Sequence, residues 1–232
     1  MAGRVRHLEP VQEIERLDPL APDHPIRLVT KEMADGGEFS AEHSTIMQSI
    51  FDSLAESWHT RNVPGRLAAL EDVFARAELP AGVLVELGAG TGIGTGVIVR
   101  HRPVAAAVDL SAGMLAEAPP GLAPWTRADA SCLPFADSSV DVLVLLNMLL
   151  FPGEVDRVLA SGGAIVWVNT LGEATPIHLS AEDVVHALPG EWRADASRAG
   201  GGTWCVVRRA AQRDSRSPSQ AEAMPPTSVS AR

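Results

Sequence analysis

Seven consecutive residues, Glu86-Leu87-Gly88-Ala89-Gly90-Thr91-Gly92, set one acid ahead of three glycines at alternate positions. A turn of this composition lets backbone N–H groups approach a ligand at points where a Cβ would collide with it, and a helix opening behind the turn adds its N-terminal field. Two further acids each follow a predicted strand, Asp109 after the apolar run at 104–108 and Asp129 after the segment at 125–128. A carboxylate there can accept from two donors at once. The glycine spacing limits the ligand. A nicotinamide dinucleotide turn needs GxGxxG, but frames starting at Gly88, Gly90 or Gly92 place Ile93, Thr95 or Val97 where the third glycine belongs. No Gly-Lys-Ser/Thr follows, so a P-loop is excluded as well. Three more polar residues could reach a substrate: Asn147 at the end of an apolar run, His59, and His178. Either histidine could act as a base, and either reads equally well as an ordinary surface residue.

Composition narrows the chemistry. The 232 residues carry a formal charge of -10, against a protein that grips polyphosphate backbones, so no nucleic-acid partner is expected. Cys132 and Cys205 are too few and too isolated for a disulfide framework or a zinc site. The first ten residues hold Arg4, Arg6, His7 and Glu9 without an apolar stretch, and no run approaches the roughly 20 apolar residues of a membrane span. A cytoplasmic protein is expected, and the use of one lysine, Lys31, against eighteen arginines suggests a bacterial, GC-rich source.

The elements that must position these residues follow from hydrophobic periodicity. Residues 1–39 mix Pro10, Pro19, Pro22 and Pro25 with charges and the Gly36-Gly37 pair, which predicts an irregular arm. Over 40–58, Ile46, Ile50, Leu54 and Trp58 recur every fourth position behind Ser40 as N-cap, predicting an amphipathic helix. A second helix is expected over 66–77. From residue 83 the pattern changes to short apolar runs at 83–87, 104–108, 125–128, 140–146 and 164–168, alternating with helical stretches at 91–101, 111–118 and 153–160. That alternation predicts a doubly wound, mostly parallel α/β sheet. Ser180 and Asp183 form a capping box for a helix over 181–188, and strands at 191–197 and 203–208 are joined closely enough to pair as an antiparallel hairpin. Residues 211–232 lack periodic apolar positions and are expected to be a disordered tail. The division is thus an arm (1–39), a catalytic domain (40–210) with a helical cap (40–79) and an α/β core (83–210), and the tail.

The Glu86–Gly92 stretch resembles motif I of the class I S-adenosylmethionine-dependent methyltransferases, and three later segments extend the likeness in order. Val108-Asp109-Leu110-Ser111-Ala112-Gly113-Met114-Leu115 resembles the family's second-strand segment. Arg127-Ala128-Asp129-Ala130, with Leu133-Pro134-Phe135 through Val140-Asp141, is similar to its third-strand segment and fourth-strand entry. Arg157-Val158-Leu159-Ala160-Ser161-Gly162-Gly163 resembles the turn before strand five, with Ser161 where the family carries proline. The resemblance implies a Rossmann-like, seven-stranded sheet and S-adenosylmethionine as cofactor, with S-adenosylhomocysteine as product. It implies Gly88, Gly90 and Gly92 under the methionine moiety, Glu86 toward its ammonium, and Asp109 on the ribose hydroxyls. Asp129 and the Ala130 N–H would take the adenine, with Leu110 or Met114 on its face.

Asn147-Met148-Leu149-Leu150 departs from the Asn-Pro-Pro-Tyr of amino-group methylation of nucleobases or glutamine, which disfavours those acceptors. Phe51-Asp52-Ser53-Leu54-Ala55-Glu56-Ser57-Trp58 is similar to the entry segment of the ubiquinone and menaquinone methyltransferase type, with Trp58 and His59 in place of Tyr and Asp. Little chain follows the fifth strand. A small, partly apolar acceptor is therefore expected, roofed by the arm and the 40–58 helix, in a monomer or homodimer without a metal. The alternatives are an enzyme of the same fold that catalyses a non-methylating step such as cyclisation, or a non-catalytic cofactor-binding subunit.

Overall fold

Apolar residues at nearly every position make Val140–Leu146 a strand fit for burial on both faces, and in the computed structural model, which describes residues 4–11, 17–61 and 64–210, it lies inside an eight-stranded sheet. The strands are β1 (Arg4–His7), β2 (Leu84–Leu87), β3 (Ala106–Asp109), β4 (Trp125–Arg127), β5 (Val140–Leu146), β6 (Leu159–Asn169), β7 (Trp192–Ala199) and β8 (Gly202–Arg209). Their order is β1-β7-β8-β6-β5-β2-β3-β4. All pairs are parallel except those of β8, which runs antiparallel to both β6 and β7. The fold is Rossmann-like.

Alternate side chains along each central strand enter two different cores, as the two-residue period requires. Val85, Leu143, Leu145, Ile165 and Trp167 face one core. Leu84, Val142, Val144 and Val166 face the other. Helix α3 (Ala68–Arg76) covers the second face with Ala69, Leu70 and Val73. Helices α6 (Pro152–Val158) and α7 (Ala181–Ala187) cover the first through Val155, Val158, Val184 and Val185. The Ser180–Asp183 capping box is present, and the hairpin closes Ala199 against Gly202 across a two-residue turn in which Gly200 has φ 54°.

The N-terminal segment departs from the irregular arm expected for residues 1–39. β1 extends the sheet beside β7, making eight strands instead of seven, and α1 (Pro25–Ala34) is a ten-residue helix. Pro25 starts that helix. At its N-terminal end a missing N–H costs nothing and the fixed φ is already helical, and the His24 side chain accepts from the Ile26 N–H as a cap. Met33 and Ala34 are buried in the first core, so the segment is part of the body of the protein as well as of its roof.

Helix α2 (Ala41–Leu54) begins at Ser40 as expected, with a capping box completed by His43, and continues as a 3-10 turn over Ala55–Arg61. Helix α4 is only Thr95–Ile98, shorter than the expected 91–101, because Gly92 and Gly94 keep the preceding residues in turns. α5 (Ala112–Ala116) is capped by Ser111. β6 starts earlier than expected: Leu159 already pairs with Val140, and the next pair is Val142 with Ala164, so Ala160–Gly163 bulge out of register. The expected tail, 211–232, lies outside the described residues.

Candidate functional site

At the carboxyl ends of β2 to β6 the sheet opens into a cavity of about 460 Å³. Its floor is Gly88, Ala89 and Gly90 after β2, Asp109 and Leu110 after β3, Ala128 to Ala130 after β4, and Leu146 to Leu149 after β5. α2 supplies the roof with Met47, Ile50, Phe51 and Leu54, followed by Trp58 and Arg61, while Ile26 and Phe39 close one side. Ligand crevices of open α/β sheets lie at this end.

The glycine turn is held by the strand beside it. Gly88 N and Ala89 N both donate to Val108 O, at 2.9 and 3.0 Å, and Gly90 N donates to Asp109 Oδ2 at 2.7 Å. All three motif glycines have positive φ, 73°, 55° and 81° at Gly88, Gly90 and Gly92, which other residues rarely adopt. Their surroundings differ. A Cβ on Gly88 would stand 2.7 Å from Met148 Sδ, and one on Gly92 2.6 Å from Trp125 Cη2. A Cβ on Gly90 would meet only Trp58 Nε1 at 3.8 Å and Met114 Sδ at 4.0 Å, leaving open space beside that backbone. Gly92 packs on Trp125 and is not part of the cavity wall, unlike Gly88 and Gly90.

Asp109 joins two turns: its Oδ2 accepts from Gly90 N and its Oδ1 from Ser111 N at 2.8 Å. Burial raises its carboxyl above the usual range, opposed by those backbone donors. Asp129 is fastened similarly, with Oδ1 accepting from Ser131 N and Oγ and Oδ2 accepting from Ser44 Oγ on α2 at 3.3 Å. Met114 is buried with its sulfur toward Gly90, and Leu110 and Ala130 also line the wall.

Glu86 does not line the cavity. It is fully buried one layer below, where Thr95 Oγ1 donates to its Oε2 at 2.5 Å and its Oε1 has no hydrogen-bond partner among the described residues. The layer between is Gly94, a wall residue whose added Cβ would lie 2.7 Å from Oε1. Burial pushes the Glu86 carboxyl up to about 8, the Thr95 hydroxyl opposes this, and Asp109 adds to it.

Asn147 lines the cavity with φ 48°, and its side chain is committed: Nδ2 donates to Thr170 Oγ1 and Oδ1 accepts from Thr170 N, both at 2.9 Å. It holds the turn after β5 against the end of β6. The two histidines are elsewhere. His59 is exposed with Nδ1 2.9 Å from Glu56 O, and His178 is half-buried beside the wall residue Ile177; neither lines the cavity. Burial, reinforced by Arg27, lowers the His178 pKa.

Three residues unmarked by spacing complete the site. Asp52 Oδ1 accepts from Ser111 Oγ at 2.5 Å and Gly113 N at 2.9 Å, which pins α2 to the start of α5 and, with the Ser111 hydroxyl foremost, lowers the Asp52 carboxyl. Arg61 lies 4.8 Å over the Trp58 ring, and Arg66 donates to Arg61 O at 3.1 Å. Both residues line the cavity, and among the described residues neither forms an ion pair with a carboxylate. The signal available in sequence was two arginines closely following the aromatic end of the roof helix.

Residues 85–167 match the methyltransferase domain family. The biotin biosynthesis bifunctional protein BioHC of Cellvibrio japonicus is 30% identical over 201 residues, which is 74% of this chain and 40% of that protein. The chain thus spans less than half the length of this curated relative. Among solved structures, a complex of DhpI with S-adenosylhomocysteine superposes with a TM-score of 0.56 at 21% identity, over 71% of this chain and 96% of that one. A Thermotoga maritima protein described as an S-adenosylmethionine-dependent methyltransferase, possibly acting on histamine, gives 0.55 at 18% identity, over 71% and 100%. At these identities the structures establish likeness of fold.

Proposed function

We propose that the chain, whose residues 85–167 match the methyltransferase domain family, is a class I S-adenosylmethionine-dependent methyltransferase that transfers the sulfonium methyl group to a small, partly apolar acceptor held beneath α1 and α2. The observation that carries this reading is a buried carboxylate oxygen with no partner among the described residues, Glu86 Oε1 beside the wall residue Gly94, together with a glycine turn whose Gly90 faces open space. That pair suits an amino-acid ammonium and the chain attached to it. When bound, the cofactor supplies a methyl group on a positively charged sulfur that is already a good leaving group.

The chain's own residues bind, orient and keep water out. Glu86 is assigned to the ammonium, with its Oε1 beside Gly94. Asp109 is assigned to the ribose hydroxyls, which its carboxylate can accept beside the backbone bonds it takes from Gly90 and Ser111. Asp129 and the Ala130 N–H are assigned to the adenine edge, with Leu110 and Met114 on its face. Arg61 and Arg66, which form no ion pair among the described residues, offer positive charge for a carboxylate. Ile26, Phe39, Ile50, Phe151 and Ile177 give the acceptor an apolar wall, and the volume lies within the roughly 300–1,000 Å³ of small-molecule sites. In-line placement in a dry cavity supplies most of what methyl transfer requires. We assign no proton transfer to His59 or His178, and give Asn147 the role of holding the β5 turn. The reading places the enzyme in a bacterial cytoplasm; among the described residues, no helix is long and apolar enough to cross a membrane.

The test is calorimetry followed by turnover. S-adenosylhomocysteine is expected to bind at one site while NAD gives no heat, and S-adenosylhomocysteine should accumulate when the protein is incubated with S-adenosylmethionine and a metabolite extract. Binding of NAD without a response to either sulfur compound would overturn the reading.

A further inference from the structure

Among the described residues, Glu86 is the one acid of the site with no charge partner and no amide donor. On α4, Thr95 gives it a single hydroxyl bond. The strands flanking it present Ala107 from β3 and Val144 from β5 at its level, and the space by Oε1 is bounded by Leu146 and Leu70. The charged group that reaches it is Asp109, of the same sign. A carboxylate so placed lacks what a buried negative charge requires, and the neutral acid is the stable form until a cation arrives. The raised carboxyl, up to about 8, agrees with this geometry.

We propose that Thr95 is a positioning residue for cofactor capture: its hydroxyl fixes Glu86 Oε2 so that Oε1 meets the cofactor's ammonium beside Gly94, and Glu86 gives up its proton to solvent as it does so. The balance is simple. The O–H bond of the Glu86 carboxyl breaks, the proton leaves to buffer, the electron pair stays on the carboxylate, and the ammonium keeps all its hydrogens. Thr95 lowers the cost of the ionised form by donating to it, and Gly94 keeps the approach open, since any side chain there would meet Oε1. The inference rests on the assignment of the cavity to S-adenosylmethionine, and it adds a proton linkage to that site.

The experiment is titration calorimetry of the full chain at pH 6 to 7.5, in buffers of different ionisation heat, with two probes. S-adenosylhomocysteine carries the ammonium, whereas 5′-methylthioadenosine has the same nucleoside without the amino acid. About one proton is expected to leave per S-adenosylhomocysteine bound, with affinity rising about tenfold per pH unit, and none is expected to leave with methylthioadenosine. Glu86→Gln should abolish the release. Thr95→Val should weaken S-adenosylhomocysteine roughly tenfold or more at pH 7, spare methylthioadenosine, and lose its effect in the Glu86→Gln background, while Thr95→Ser restores the wild-type behaviour. S-adenosylhomocysteine binding without proton release, or a Thr95→Val variant that weakens both probes equally, would overturn the proposal and leave the methyltransferase reading intact. Failure of both probes to bind would remove that reading too.

Discussion

β5 and α2 are both rich in apolar residues, yet the structure uses them in opposite ways. Val142 to Val144 of β5 are completely enclosed between the two cores. α2 has no buried residue at all: Ile46 is 50% exposed and Ile50 41%, and the apolar side chains that turn inward line the cavity. α2 is held by polar bonds at two points, Asp52 to the start of α5 and Ser44 to Asp129. Apolar surface in the sheet is buried in the cores, while apolar surface in the roof lines a cavity. Stability and binding should therefore respond to different substitutions.

The largest effect that would sharpen this contrast is Leu143→Ala in β5, expected to cost about 2–5 kcal/mol in a denaturant titration, from lost burial and the remaining cavity. A cost comparable to that of a surface change would break it. Asp109→Ala should instead act on binding, weakening S-adenosylhomocysteine by about 1.5–3 kcal/mol in a protein that still folds; unchanged affinity would remove Asp109 from the site.

A third effect lies in pH. Burial holds the Glu86 carboxyl, ordinarily near 4.5, at about 8. An acid kept protonated by folding contributes stability that is fully present below its unfolded value and is lost as pH rises through the folded one. Cofactor-free protein should lose stability between pH about 4.5 and about 8, and Glu86→Gln should flatten that slope. Equal slopes in thermal unfolding would contradict a neutral buried acid. The smallest stability effect belongs to Ile50→Ala, expected within about 0.5 kcal/mol of wild type while the acceptor KM rises. A loss of several kcal/mol would place α2 in the core after all.

Local signals made much of this legible in sequence. Glycines that need positive φ, acids ending predicted strands, the Ser40 N-cap and the Ser180–Asp183 capping box are short-range features, and the structure gathers Gly88, Gly90, Asp109, Leu110, Met114, Asp129, Ala130 and Asn147 around one cavity. Non-local features were not legible. β1 is a strand because β7 lies beside it almost two hundred residues later, and Pro25 reads as a breaker until its place at a helix start is known. Periodicity found the stripe on α2 but cannot distinguish a face turned to a core from one turned to a cavity. Nor can spacing give depth: Glu86 sits beneath the floor, Gly92 packs on Trp125, and His59 and His178 fall outside the wall.

One cofactor site is proposed to lie between the glycine turn and the α2 roof. Amide hydrogen exchange of the full chain with and without saturating S-adenosylhomocysteine tests it most directly. Protection is expected at residues 88–92, 109–111 and 129–131 and along α2, with α6 and α7 unchanged; protection confined to other segments, or none anywhere, would contradict the account.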